Sequence, residues 1–131
     1  MPYRWLRIWF IIHFYADILF AIPIFLFPEY FLQLAGWQSI DPVAARGVAA
    51  ALFGIGIESY LGRNAGTETY KSLLNLKIIW SLTATIGLVI ALIQNVHGRP
   101  VMLWIAFFIF ILFHILWVYW RVRLQKFKME K

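Results

Sequence analysis

Four stretches of this chain, residues 8–27, 42–61, 78–96 and 101–120, are almost wholly apolar. Each is near the roughly 20 residues that an α-helix needs to cross a hydrocarbon core. Little freedom remains after that. No water inside lipid satisfies backbone N–H and C=O groups, so each segment must satisfy its own, and lone strand hairpins are excluded. With short connections between the stretches, the expected architecture is all-α: a four-transmembrane-helix up-down bundle forming one integral membrane domain over residues 1–131.

Composition supports this reading. Residues are 63% hydrophobic and 14% charged, more apolar surface than a soluble chain of 131 residues can hide. Twelve Lys and Arg against six Asp and Glu give a net charge of +6, which in a soluble chain points to nucleic acid. Here the location of the charges decides, and no nucleic-acid partner is expected. Arg4 and Arg7 precede the first stretch, Arg63, Lys71 and Lys77 surround the second connection, and Arg121, Arg123, Lys126, Lys128 and Lys131 follow the fourth stretch. Among the connections and ends on the other side only Arg99 is basic, and the first connection, from Pro28 to Asp41, has no Lys or Arg. The positive-inside rule then puts both termini in the cytoplasm. The basic tail also suits anionic headgroups, although topology alone accounts for it.

The first stretch is expected to be a retained helix and not a cleaved signal, since His13 and Asp17 interrupt it and no small-x-small cleavage site follows. Asp41-Pro42 offers a capping carboxylate followed by proline, so a helix begins there. Residues 29–35, before Gly36 and Trp37, read as a short amphipathic helix in the outer interface, or as an irregular loop anchored by aromatics. Residues 62–75 read as the long polar connection, in which 67–71 form at most a turn of surface helix. Residues 95–100 read as a tight outer turn. Aromatics make up 19% of the chain, and Trp5, Trp9, Trp37, Trp104, Trp117 and Trp120 lie near helix ends, as interfacial belts do.

Gly47, Ala50, Ala51, Gly54 and Glu58 recur at intervals of three and four, and this stripe of small residues is expected to be the packing face of the second long helix. The third carries a weaker version in Ser81, Ala84, Thr85, Leu88 and Ala91. The fourth is bulky and aromatic. Gly54-Ile-Gly56 is no nucleotide loop, because the strand such a loop follows is missing.

An ionisable group in the hydrocarbon costs at least about 2.5–3.5 kcal/mol near a helix centre, so each one retained there calls for a hypothesis. Four stand out: His13 and Asp17, one turn apart on one face; Glu58; and His114. Counted along the helix axes, His13, Glu58 and His114 fall roughly 6–9 Å from the cytoplasmic surface, with Asp17 some 5 Å deeper. Each also has a structural reading. Asp17 fixes the His13 tautomer; Glu58 pairs with Lys77 or Asn75; His114 makes a helix–helix hydrogen bond. Arg46 either reaches Asp17 or snorkels outward to headgroups.

Two functional constructions use these residues. In one, Phe14, Phe110, Trp80 and Trp117 line a cytoplasmic-half pocket for a hydrophobic small molecule, a lipid, quinone or sterol-like compound, whose polar end meets His13, Asp17, Glu58 or His114. In the other, His13 and His114 ligate haem b. No dense ligand spacing favours a metal ion, and the absence of cysteine excludes disulfides, thiolate chemistry and iron–sulfur clusters from this chain.

The runs from Asp41 to Gly47, from Leu52 to Glu58 and from Leu76 to Ser81 together resemble small four-helix bacterial membrane proteins of the DoxX-like kind, over about residues 28–121. The resemblance implies a helical bundle in a prokaryotic inner membrane, and some of those relatives accompany quinone-linked oxidoreductases. It carries over no catalytic residue. Sterol isomerase-like four-helix proteins offer a looser comparison, in which Asp17 and Glu58 are similar in kind only. The leading expectation is thus a binder of a hydrophobic ligand, with a membrane-complex accessory subunit and a dimeric proton-coupled carrier as the competing readings. Whether the chain is an enzyme is left open.

Overall fold

The computed structural model describes residues 3–129, with side chains to residue 127. Lys131 of the basic tail lies outside the described residues, as does the side chain of Lys128. Every regular element is helical: α1 (Arg4–Leu26), α2 (Pro28–Leu34), α3 (Pro42–Leu61), α4 (Thr67–Ile93) and α5 (Val101–Met129), with single 3-10 turns at Gly62–Asn64 and Val96–Gly98. Among the described residues four helices are long and apolar enough to cross a membrane: α1, α3 with its following turn, α4 and α5. The short helix α2 replaces the alternative of an irregular loop, with Pro28 at its first position and Glu29 in its first turn.

The chain divides into two compact units, residues 1–64 and 65–131. In the first, α1 and α3 run antiparallel, as the pairing of Phe25 with Phe53 near one end and Phe14 with Tyr60 near the other requires. The seam of α1 is Leu6, Phe10, His13, Asp17 and Ala21; that of α3 is Ala45, Ala49, Leu52, Gly56 and Ser59. Both alternate steps of three and four, the spacing that keeps one stripe against an antiparallel neighbour. Asp41 caps α3, its carboxylate accepting from the backbone N–H groups of Val43 (2.8 Å) and Ala44 (3.3 Å).

The seam between α1 and α3 is therefore not the stripe of small residues read from the sequence. Gly47, Ala50, Gly54 and Glu58 are exposed, and a Cβ added at Gly47 or Gly54 would meet nothing within 4 Å. At Gly56 the same added Cβ would lie 2.8 Å from the Cβ of Asp17, so the missing side chain is what lets the two backbones approach.

In the second unit α4 and α5 form an antiparallel hairpin, with Asn75 opposite Arg121, Ser81 opposite His114 and Trp80 against Phe110. Here α4 starts eleven residues before the expected position 78. A polar surface does not interrupt backbone hydrogen bonding; the buried series Tyr70, Leu74, Lys77, Ser81 carries the seam through it, and Lys71 pairs with Glu68 three residues back at 2.9 Å. Likewise α5 runs nine residues past the expected end, into the basic tail. The connection is tight, with Asn95, His97 and Arg99 all left-handed and the Arg99 guanidinium donating to the Leu92 carbonyl at 2.6 Å. Trp117 and Trp120 are only 1% and 7% exposed. They pack inside the protein, whereas Trp5 and Trp104 are exposed.

Candidate functional site

The face that α1 presents to α3 carries His13 and Asp17. His13 and Asp17 are 4% and 7% exposed, and their spacing of four brings His13 Nδ1 to 3.3 Å from Asp17 Oδ2. From α3, Ser59 Oγ reaches the same Nδ1 at 3.3 Å while donating its proton to the Ile55 carbonyl at 2.7 Å. Since the Ser59 proton is spent within its own helix, the imidazole N–H is the donor between His13 and Ser59. Serine and carboxylate thus share one ring nitrogen. A nucleophilic triad puts nucleophile and carboxylate on different ring nitrogens, a geometry this contact does not provide. The arrangement fixes a tautomer and joins two helices, and Gly56 provides the close approach that seats Asp17.

Glu58, one residue from Ser59, is exposed, off the α1–α3 seam, and has no hydrogen-bond partner within its hairpin. It does not join His13 and Asp17. Asn75, one of its expected partners, instead accepts from Arg121 Nε at 2.8 Å. Arg46 does not reach Asp17 either: its Nε donates to the Phe25 carbonyl at 3.0 Å, closing an orphan acceptor at the C-terminal end of α1.

In the second hairpin His114 Nδ1 lies 2.9 Å from Ser81 Oγ, and Ser81 also lies 3.2 Å from the Ile78 carbonyl. The ring's other nitrogen, Nε2, has no hydrogen-bond partner among the described residues, and the side chain is half-buried. One turn along α5, Phe110 meets Trp80 edge-on at 6.0 Å. The indole N–H of Trp80 is buried and has no acceptor among the described residues. Toward the basic end, Trp117 stacks on Phe113 at 5.6 Å, and the buried Lys77 ammonium sits 5.0 Å from the Trp117 ring centre.

The site residues read from sequence therefore fall into two sets. Asp17 and His13 meet in the first hairpin; Trp80 with Phe110, Ser81 with His114, and Lys77 with Trp117 occupy successive levels of the second. Phe14 packs instead on Tyr15 and Tyr60. His13 and His114, the pair a haem would need, belong to different units. Among the described residues no group of three or more His, Cys, Asp or Glu gathers as a metal ion requires. Sequence reasoning passed over Ser59, and met Ser81 only as a packing residue and Gly56 only as part of a rejected nucleotide loop. The signal was present, since both serines interrupt apolar spans at seam positions, three or four residues from another seam residue.

Compared with protein-family models, with curated proteins and with solved structures, the chain matches none.

Proposed function

We propose that this is a multi-pass inner-membrane protein, four helices crossing with both ends cytoplasmic, which holds a hydrophobic ligand through an oxygen-bearing end group at the Trp80–Phe110–His114 level of α4 and α5. The observation that carries the reading is the His114 imidazole, anchored through Nδ1 and unpartnered at Nε2 within an apolar span. Beside it the Trp80 indole is a buried donor lacking an acceptor, and an unmet buried donor costs about 1–3 kcal/mol. A ligand oxygen would meet either group. A hydroxyl suits either imidazole tautomer, whereas a quinone or ester carbonyl suits the one with the proton on Nε2. By contrast, the first hairpin's His13 lies 3.3 Å from both Asp17 and Ser59 at the α1–α3 seam, which favours a structural role for that half.

Mass spectrometry and an absorption spectrum of the gently purified protein test this. The expected result is a co-purifying amphiphile with a hydroxyl or carbonyl group, whose occupancy falls about tenfold in His114→Leu, the effect of one lost hydrogen bond of about 1.4 kcal/mol. A wild-type protein free of any such molecule, or equal occupancy in the variant, contradicts the reading and favours an accessory subunit of a membrane redox complex. A Soret band would identify haem instead.

A further inference from the structure

The basic end of the second hairpin holds a set of donors without acceptors. Arg121 is half-buried and does not extend freely into water, because its Nε is tied to Asn75 Oδ1 at 2.8 Å. A guanidinium has only donors, so this contact fixes the Asn75 amide with its oxygen toward Arg121, leaving the NH2 group directed elsewhere on an exposed residue. Arg121 Nη1 is buried and has no hydrogen-bond partner among the described residues; the same is true of the indole N–H of Trp120, the preceding residue.

The hairpin has little of its own with which to meet these groups. Between residues 65 and 129 the sole carboxylate side chain is Glu68, and Lys71 engages it. The same stretch carries Lys71, Lys77, Arg99, Arg121, Arg123, Lys126 and Lys128. An orphaned donor on a charged group is the costly kind, and an acceptor-rich anion relieves it best. The level along the helix narrows the choice. Arg121 lies twenty residues beyond Val101, where α5 begins, which is about 30 Å of helix rise and the thickness of a hydrocarbon core. With Val101 at one boundary, the Arg121 guanidinium stands at the other, where lipid phosphates lie.

We propose that Arg121 and Asn75 form a binding site for an anionic phosphate presented by a lipid headgroup. Basic sites between membrane helices at this depth suit such headgroups. The planar guanidinium, pre-set by Asn75, matches phosphate oxygens in a way that a lysine does not. This site does not rest on the His114 reading. Arg123 is the natural comparison, since it points its charge over the rings of Tyr119 and Phe127 at 5.7 and 5.8 Å.

Native mass spectrometry of the full chain in detergent, with phosphatidylglycerol or phosphatidylcholine added, tests the site. Wild type is expected to retain phosphatidylglycerol about tenfold more than phosphatidylcholine, in line with one charge-assisted hydrogen bond. Arg121→Gln loses that preference, Asn75→Ala at an exposed position weakens it without threatening the fold, and Arg123→Gln keeps it. Equal retention of both lipids by wild type, or an undiminished preference in Arg121→Gln, overturns the site. Inorganic phosphate added as competitor separates the two sources of the anion: failure to displace phosphatidylglycerol supports the lipid, and full displacement at equal concentration overturns it in favour of free phosphate.

Discussion

Gly56→Ala is expected to destabilise the α1–α3 hairpin by about 1–3 kcal/mol, the usual cost of forcing a methyl group into a filled contact. The new Cβ would sit 2.8 Å from the Asp17 Cβ, and both atoms are rooted in helix backbone, so the helices must part. Gly47→Ala and Gly54→Ala, on the exposed side of the same helix, have nothing within 4 Å to strike. They remove glycine's entropic penalty and should stabilise by up to about 1 kcal/mol. Denaturation in mixed detergent micelles measures all three. If Gly54→Ala proves as damaging as Gly56→Ala, the second helix packs through the stripe first read from its sequence.

Asp17→Ala should cost about 3 kcal/mol, whereas Asp17→Asn should cost about 1. Removing one member of a buried pair is expensive because its partner stays behind, desolvated and without its complement. His13, at 4% exposure, is that partner. The asparagine side chain keeps an oxygen able to accept from the imidazole, so it retains most of the contact. A single interhelical hydrogen bond in a membrane averages only about 0.6 kcal/mol, which is the outcome expected if Asp17 were an incidental contact. The same denaturation assay, with equal small losses in both variants, would show that the His13–Asp17 pair does not hold the hairpin.

The number of long helices, their approximate cores, the Asp41 cap and the shared face of His13 and Asp17 were legible in the residues, because length, capping chemistry and a spacing of four are local facts. The partner face of α3 was not. That helix carries small residues all round, with Gly47-Ala50-Gly54 on one side and Ala45-Ala49-Gly56 on another, and an almost uniformly apolar helix gives no amphipathic contrast by which to choose between them. Glu58 belongs to the first of these stripes and lies off the α1–α3 seam. The start of α4 was misjudged for a related reason: residues 67–77 look like a connection by polarity, yet Tyr70, Leu74 and Lys77 continue the seam. Lys77 is itself 2% exposed, its charge set beside the Trp117 ring. The Ser59–His13 and Ser81–His114 pairs join residues 46 and 33 positions apart, and no local pattern announces such partners.

Four crossings with the basic ends indoors are most directly tested by single-cysteine labelling, which the cysteine-free sequence makes simple. Ser39→Cys, Asn95→Cys, Ser72→Cys and Gln125→Cys each alter an exposed position in or beside a connection or the tail. In intact cells a membrane-impermeant maleimide should label positions 39 and 95, and reach 72 and 125 only after the membrane is opened. Labelling of position 125 from outside, or of all four from one side, would contradict it.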